Sequence, residues 1–142
     1  MQVETILQSK GHAVHTVEAG APLSEAVHIL NTKKIGAVVV VDAKGKVAGI
    51  LSERDIVRRL DKDPVALLAS PVRMAMTTKV ITCTSATSVS DLMETMTQHR
   101  IRHIPIVDNG QLTGIVSIGD VVKRKIEETE QEALALKEYI AS

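Results

Sequence analysis

The chain has 142 residues, which is enough for one compact unit or for two very small halves that pack on each other, and leaves no room for a third independent domain. Hydrophobic residues make up 44% and charged residues 24%, a balance typical of folded proteins. Because the formal net charge is zero and the chain contains no Trp or Phe, we expect no nucleic-acid binding through a basic field or a base-stacking surface.

Residues 1–12 are polar and amphipathic, and they lack the basic start and apolar run of a signal peptide. The longest apolar run, residues 35–41, is far too short to cross a bilayer. We therefore expect a cytoplasmic protein with no membrane partner. Cys83 is the single cysteine, so we expect no internal disulfide or CxxC chemistry, and we interpret it as a small apolar residue in a strand.

One sequence pattern occurs twice along the chain. GILSERD at 49–55 is repeated as GIVSIGD at 114–120. The identities continue on both sides in one register: Val14 with Val80, Thr16 with Thr82, Ile35 with Ile101, Asp42 with Asp108. Such a match predicts an internal duplication.

Each copy begins with a strand candidate, at 13–17 and at 80–83, followed by a helix. The helices are predicted from apolar residues spaced i, i+3, i+4, i+7, which are Leu23, Ala26, Val27 and Leu30 in the first copy and Val89, Leu92, Met93 and Met96 in the second.

A strand hairpin follows each helix. The strands are predicted at 37–41 and 47–51 in the first copy and at 104–107 and 112–116 in the second. Asn109-Gly110 in the second turn is a strong hairpin signal. After each hairpin a further helix begins.

The predicted fold is α/β (α+β), with two βαββα repeats packed about a pseudo-twofold axis, an N-terminal helix and an extended C-terminal helix. Neither copy is long enough to bury its own apolar face, so the two should pack together. The predicted organisation is an N-terminal helical segment at 1–12, repeat 1 at 13–60, a linker at 61–73, repeat 2 at 74–126, and a C-terminal helical extension at 127–142.

The duplicated motif places a serine after a strand and an aspartate three residues later, as Ser52 with Asp55 and Ser117 with Asp120. One interpretation is a capping box, since Ser88 and Asp91 show the same spacing at another helix start. The other is a nucleotide site, in which the helix N-terminus and the serine bind phosphate and the aspartate accepts two hydrogen bonds from a ribose diol. The local motif leaves both open.

The chain resembles the CBS domain pair, the family named for cystathionine β-synthase. The resemblance is carried by GILSERD and GIVSIGD, RHIPIVDNG at 102–110, IGAVVVVD at 35–42 and MAMTTKVITC at 74–83, and it extends from about residue 12 to 126. Members of this family are regulatory modules that bind adenosine nucleotides in clefts between the two copies, and they often pair as flat dimers.

In the second copy the resemblance implies that Asp120 binds the ribose hydroxyls and Ser117 the phosphate, with Arg102 and His103 beside the phosphate. The residues expected along the adenine are Thr82, Ile81, Ile104 and Pro105.

In the first copy Asp55 and Ser52 match the same roles, but Gly36 and Ala37, followed by Val38, stand where the second copy has Arg102 and His103. Arg54 at the helix start could compensate by binding phosphate through its two terminal nitrogens. The second-copy site is therefore expected to bind AMP, and the first to be weaker, differently selective, or to receive part of a larger ligand such as a dinucleotide.

Two catalytic or metal interpretations are disfavoured. His12 and His15 are spaced so that an extended segment sends them to opposite faces, so we expect no metal site. Ser117, His103 and Asp120 could form a hydrolase triad, but there is no GxSxG motif. We expect no enzymatic activity and no catalytic cofactor.

The C-terminal segment has apolar or small residues with alternating spacings of four and three, the pattern of a heptad seam. They are Val122, Ile126, Thr129, Ala133, Leu136 and Ile140. This helix could be a solvated acidic extension, or it could pair with another subunit or with the N-terminal helix around Val3, Ile6 and Leu7.

The function predicted from these features is that of a regulatory module that senses adenine nucleotides, with AMP, ATP or NAD(H) as ligands. We expect a homodimer that transmits the bound state to a protein partner the sequence does not name. The alternative is a scaffolding dimer with empty clefts that acts only through protein contacts.

Overall fold

A computed structural model describes residues 1–141. Its helices are α1 (Val3–Lys10), α2 (Leu23–Lys33), α3 (Glu53–Val57), α4 (Pro64–Ala69), α5 (Val89–His99) and α6 (Ile118–Ala141), with a 3₁₀ turn at Val72–Met74. Its strands are β1 (Thr16–Glu18), β2 (Ala37–Val41), β3 (Val47–Ser52), β4 (His103–Asp108) and β5 (Gln111–Ser117). This is the predicted mixed α/β fold.

The strands form two small sheets, one in each repeat. In the first, β1 is parallel to β2 and β2 is antiparallel to β3, whereas the second is the antiparallel pair β4–β5. Both hairpins have a register shift at corresponding places, Val40/Val41 and Ile106/Val107. Asn109 and Gly110 have φ angles of 51° and 77°, as a tight turn with two left-handed residues requires.

Helices α2 and α5 bury the faces predicted from their apolar spacing. Leu23, Ala26 and Leu30 of α2 are buried, as are Val89, Leu92 and Met96 of α5. Met93, which was predicted to lie on the buried face, is 38% exposed. Each helix thus covers one side of its own sheet.

The strand predicted at 80–83 does not form, and the reason lies in Pro105. Cys83 bridges to β4, donating to the Pro105 carbonyl and accepting from the Val107 amide. The next bond of a parallel ladder would run to Ile81 from the amide of residue 105, which proline lacks. In the first repeat Val39 occupies that position and donates to His15, so β1 forms.

The segment predicted as a linker, 61–73, is largely ordered into regular structure. It contains α4, which Asp63 caps by accepting from the Ala66 amide, and the start of the 3₁₀ turn. Ser70 accepts a backbone hydrogen bond from Leu23 at the start of α2. The connection is therefore fastened to repeat 1.

Two hydrophobic cores form, and each includes the segment that leads into the other repeat. Val72 and Ala75, at the junction between the linker and repeat 2, are buried in the core of repeat 1. Val3, Ile6 and Leu7 of α1, which precede repeat 1, are buried in the core of repeat 2. In addition, Thr77 pairs with Ile50 of β3. The two repeats are thus interlocked by their leading segments.

Helix α6 runs without a break through the predicted boundary between repeat 2 and the C-terminal extension. Its first turns pack on the domain through Val121, which is 1% exposed, and Arg124 lies against Met1. All described residues from 129 onward are exposed, so α1 does not cover this part of the helix.

Within residues 1–141, no helix combines the length and the hydropathy required to cross a membrane.

Candidate functional site

The Ser52–Asp55 motif forms a capping box at the start of α3. The Ser52 amide and hydroxyl both donate to Asp55 Oδ2, at 2.8 and 3.0 Å, and the Asp55 amide donates to Ser52 Oγ at 3.4 Å. The other carboxylate oxygen, Oδ1, accepts from the Thr77 hydroxyl at 3.4 Å. Asp55 therefore uses one oxygen as a cap, and its second oxygen has a single long hydrogen bond.

A cavity of about 330 Å³ opens beside Asp55, between the two repeats. Four elements line it: the start of β2, the β3–α3 junction, the segment 77–81, and the start of β4 with the residues before it. The cavity lies within the size range of small-molecule sites.

The cavity brings together predicted site residues from both copies. From the first copy it includes Gly36, Ala37, Ser52, Arg54 and Asp55, and from the second it includes Ile81, Arg102, His103 and Pro105. The family resemblance grouped Arg102 and His103 with Asp120, which belongs to the same copy. In space Arg102 lines the cleft of Asp55.

Five other predicted residues lie outside this cavity. Val38 and Ile104 are completely buried in the cores of repeats 1 and 2, because their side chains point away from the cleft. Thr82 is exposed. Ser117 and Asp120 are at the start of α6, in the related position on the other side of the pseudo-twofold axis.

The cavity lining is rich in positive charge. It contains the cationic side chains Arg54, Arg58, Lys79, Arg100 and Arg102 against the carboxylates Glu53 and Asp55. The sequence did not single out Arg58, Lys79 or Arg100, since each looked like an ordinary surface cation. A lining of this kind favours an anionic ligand.

An apolar surface completes the cavity. It consists of Ile50, Val80, Ile81, Ile101 and Pro105. A flat, largely apolar group such as a purine ring could pack here, while the cations bind an attached anion.

His103 lies at the centre of the two-repeat arrangement, against Gly36. A Cβ atom on Gly36 would be 3.2 Å from His103 Cε1 and 3.3 Å from Nε2, so the imidazole occupies space that a larger residue would restrict. Burial lowers the pKa of His103, and Lys10 lowers it further, against the opposing effects of Asp120 and Glu53. The imidazole is therefore neutral near pH 7.

Asp120 is engaged by the N-terminal helix. Lys10 Nζ donates to Asp120 Oδ2 at 2.7 Å and to the Ile115 carbonyl at 2.8 Å, and the Ser117 amide also donates to Oδ2, at 2.9 Å. Burial acts to raise the pKa of Asp120, but the bonds from Lys10 and Ser117 outweigh it and hold the pKa below its usual range.

Helix α1 thus packs against β5 and α6 on the Asp120 side. Leu7 is completely buried, and its Cδ2 atom lies 2.6 Å from where a Cβ on Gly114 would be, so only glycine permits this approach. Sequence reasoning missed Lys10. The signal available was its position in the repeat, since residues 10 and 11 correspond to 76 and 77, and the Thr77 hydroxyl donates to Asp55.

The catalytic and metal interpretations gain no support from this geometry. The Asp120 carboxylate accepts from Lys10 and Ser117 rather than from a histidine, so the arrangement differs from a hydrolase triad. Among residues 1–141, no three His, Cys, Asp or Glu side chains are grouped closely enough to hold a metal ion.

Comparison with known proteins gives a consistent result. The family model described as "CBS domain" matches twice, at residues 10–62 and 72–127. The chain is 38% identical over 120 residues to the mitochondrial CBS domain-containing protein CBSX3 of Arabidopsis thaliana, covering 82% of this chain and 58% of that protein. It is 34% identical over 111 residues to the CBS domain-containing protein YhcV of Bacillus subtilis, covering 76% of each.

Solved structures share the fold over most of the chain. The CBS-domain containing protein ATU1752 from Agrobacterium tumefaciens is 45% identical, with a TM-score of 0.84, over 87% of this chain and 92% of that one. The CBS domain pair of protein MJ0100, in complex with 5′-methylthioadenosine and S-adenosyl-L-methionine, is 26% identical, with a TM-score of 0.80, over 90% of this chain and 98% of that one.

Proposed function

The chain belongs to the CBS domain family as a tandem pair, and from this premise we propose that it is a regulatory module whose Asp55 cleft binds an adenine nucleotide. AMP is the smallest ligand that fits the proposal, with ATP and NAD(H) as larger ones. The observation that carries it is the cavity beside Asp55, which combines a buried carboxylate, a helix start and cations from both repeats.

The buried carboxylate supports recognition of a ribose. Asp55 is 7% exposed and is the one charged residue that is buried among residues 1–141. Its Oδ1 atom faces the cleft beside Thr77, with one hydrogen bond at 3.4 Å. The hydroxyls of a vicinal diol can donate hydrogen bonds to this carboxylate oxygen. Hydrogen bonds to a charged acceptor are shorter and stronger than those between neutral groups.

The cations support recognition of a phosphate. Arg54 at the start of α3 and Arg102 before β4 line the cleft from opposite repeats. An anion between them would receive charge-assisted hydrogen bonds from both sides. This charge distinguishes the proposal from binding of an uncharged nucleoside, and it makes AMP the better ligand than 5′-methylthioadenosine.

The complex of MJ0100 supports the adenosine part of the proposal, because the ligands of that CBS pair both contain adenosine. The proposal differs from the ranking expected from sequence, in which the Asp120 side is the stronger site. Here the cavity that supports the proposal is on the Asp55 side, while Lys10 Nζ already binds the Asp120 carboxylate.

A ligand in this cleft contacts both repeats, and this is how binding can be transmitted. Nucleotide bound between Arg54 and Arg102 favours the relative position of the repeats to which it binds most tightly. Only a difference in affinity between two such positions can drive a response. We propose a homodimer that passes the response to a protein partner, and an intracellular role in which the module itself performs no catalysis. The competing proposal is a scaffold with clefts that bind no ligand.

Isothermal titration calorimetry of the full chain tests the proposal, with AMP, ATP, NADH, 5′-methylthioadenosine and S-adenosyl-L-methionine. We expect AMP to bind, and Asp55→Asn to weaken AMP binding by about tenfold or more, since a charged acceptor is lost. Asp120→Asn should change the affinity by less than about twofold. If neither variant changes the AMP affinity, or if Asp120→Asn is the one that weakens it, the assignment to the Asp55 cleft is wrong.

Loss of the capping box must be separated from loss of the ligand contact. Ser88→Ala removes the serine cap of α5, where the Ser88 hydroxyl oxygen accepts from the Asp91 amide. It should lower the free energy of unfolding by about 1 kcal/mol without altering AMP affinity. Absence of binding by every nucleotide would favour the scaffold.

A further inference from the structure

Helix α6 carries an exposed apolar seam along its whole length. Val122, Ile126, Leu136 and Ile140 have exposed fractions of 50%, 54%, 59% and 74%. Thr129 and Ala133, which fall between them, are exposed as well. This seam, residues 122, 126, 129, 133, 136 and 140, is defined by spacings of four and three residues that keep it on one side of the helix.

The domain uses a different side of α6. Val121 is the residue of this helix that is buried, and Arg124 donates to Met1 Sδ at 3.4 Å. The first two residues of the seam, Val122 and Ile126, line a shallow apolar groove on the surface together with Ile118. The seam therefore begins on the body of the domain and continues onto the projecting part of the helix.

The seam fits the core positions of a coiled coil. Ile126, Ala133 and Ile140 take the first core position of successive heptads, called a, and Val122, Thr129 and Leu136 take the other, called d. In parallel coiled coils, β-branched residues at a with Leu at d favour two strands. Ile140 and Leu136 follow this pattern, whereas Val122 and Thr129 at d do not. The same assignment places Lys125 and Glu132 at position g and Lys123, Glu130 and Lys137 at position e, on either side of the seam.

The charges at these flanking positions select a parallel partner of identical sequence. In a parallel pair each g residue faces the e residue five positions later on the other helix. Lys125 would then face Glu130 of a second copy, and Glu132 would face Lys137. Both pairs are attractive, and twofold symmetry repeats each of them.

An antiparallel pair of the same seam is disfavoured. In an antiparallel pair, position e of one helix flanks position e of the other, and g flanks g. With Val122 beside Ile140 of the second copy, Glu130 would lie near Glu130, Glu132 near Glu132, and Lys123 near Lys137. Each of these contacts joins like charges, which destabilise a helix pair. The orientation thus follows from the charge pattern rather than from the apolar residues.

We propose that the 122–140 seam of α6 forms a parallel two-stranded coiled coil with a second copy of this chain. Small residues at Thr129 and Ala133 make the middle of the seam weak, so the flanking ion pairs have a large share in setting its orientation. Lys125 lies 3.6 Å from Glu128 within its own helix, and it would exchange this exposed contact for Glu130 of the second copy.

The inference deepens the homodimer part of the proposed function and is independent of nucleotide binding. The measurements that test it need no nucleotide, so failure of the seam to pair can be distinguished from failure of the cleft to bind ligand. Sedimentation of the full chain at low ionic strength should show a concentration-dependent monomer–dimer equilibrium. A wild-type chain that remains monomeric at high protein concentration would overturn the inference.

Charge reversal tests the pairing. Lys125→Glu or Glu130→Lys alone turns two attractive contacts of the dimer into repulsive ones, and each should raise the dimer Kd by about tenfold. The double variant exchanges the charges and should restore the Kd to within about twofold. Glu138→Lys, on the outer side of the helix, is the matched control and should have no effect. Single variants that leave the Kd unchanged, or a double variant that fails to restore it, contradict the proposal.

Cysteine crosslinking tests the orientation. In a Cys83→Ser background, Ile140→Cys should form a disulfide between two copies, because position 140 meets position 140 in a parallel pair. Glu138→Cys faces outward and should crosslink poorly. Equal crosslinking at both positions, or crosslinking of residue 140 to residue 122 when both are cysteine, would exclude the parallel coiled coil.

Discussion

Lys10 Nζ lies 2.7 Å from Asp120 Oδ2, whereas the corresponding Asp55 accepts from the Thr77 hydroxyl at 3.4 Å. Both aspartates belong to the same duplicated motif, and both accept a hydrogen bond from the amide of the serine three residues earlier. The difference between the clefts therefore comes from the segment in front of each aspartate. Lys10 forms an ion pair with one carboxylate, whereas Thr77 makes a single longer hydrogen bond to the other.

Lys10→Met should reduce stability in a pH-dependent way. The pKa of Asp120 is held below its usual range in the folded chain, so its contribution is fully present above the unfolded value of about 3.9 and is lost as the pH falls through the lowered pKa. We expect a loss of about 1 kcal/mol at pH 6 that shrinks towards pH 3, measured by urea unfolding. Lys44→Met, on an exposed turn, is the control. A loss of equal size at both pH values would contradict an ion-pair origin.

Gly49→Ala should damage both stability and ligand binding. The new Cβ would lie 2.6 Å from Met76 Sδ and 2.8 Å from the Thr77 carbonyl oxygen, so the leading segment of repeat 2 must shift. We expect a cost of about 1–3 kcal/mol and weaker AMP binding, because Thr77 moves relative to Asp55. Gly20→Ala, whose nearest contact would be 3.7 Å away, should be nearly neutral. Thermal unfolding of both variants measures the loss of stability, and titration calorimetry measures the loss of AMP affinity.

AMP binding should take up protons through His103. Burial lowers the pKa of this imidazole in the free chain, and a phosphate in the neighbouring cavity would raise it again. Affinity should therefore increase as the pH falls from 7.5 to 6, by up to about tenfold if the pKa rises by one unit. Calorimetry in buffers with different ionisation enthalpies measures the uptake, and His103→Asn should abolish it. An unchanged proton count in that variant would rule out His103 as the source.

His103 also affects the stability of the free chain. Its folded pKa lies below its unfolded pKa of about 6.5, so the unfolded chain binds the proton more readily. The stability contribution is then present above pH 6.5 and decreases as the pH falls below it. Titration of the His103 ring by NMR should give a pKa below 6.5 in the folded chain. Urea unfolding between pH 5 and 8 should show a free energy of unfolding that decreases below pH 6.5.

Arg102→Leu should weaken AMP binding by about tenfold or more, although Arg102 belongs to the opposite repeat from Asp55. It should have a much smaller effect on 5′-methylthioadenosine, which carries no phosphate, and so it should remove the preference for AMP. Arg73→Leu, an exposed arginine outside the cavity, is the control. An equal loss for both ligands would mean that Arg102 supports the cleft rather than the phosphate.

The local pattern predicted most of the fold. The spacing of Leu23, Ala26 and Leu30 predicted α2, and Asn109-Gly110 predicted the second hairpin, because both signals depend on neighbours in the chain. The strand at 80–83 was wrong, since its formation depends on an amide that Pro105 lacks. That information lies in the partner strand and not in the segment itself.

The composition of the site was harder to predict. Ser52, Asp55 and Arg102 were all predicted as site residues and all line the cavity, but the family resemblance implied that Arg102 acts with Asp120. The starts of β2 and β4 align with each other, yet Gly36, Ala37, Arg102 and His103 all line the Asp55 cleft. Which cleft a residue faces therefore depends on how the two repeats pack and not on the copy to which it belongs. Lys10 carried no motif at all, and its role depends on α1 packing over Gly114.

The exchanged leading segments also bear on how a molecule of this kind could have arisen. In this chain Ile50 of β3 donates to and accepts from Thr77, near the start of repeat 2, and Val72 is buried in the first core. A single repeat on its own would keep an open strand edge at Ile50 and a gap where Val72 lies. An unduplicated ancestor would therefore have needed a second molecule to supply these contacts. Fusion of two such copies would turn an association between molecules into one within a chain, which does not depend on protein concentration.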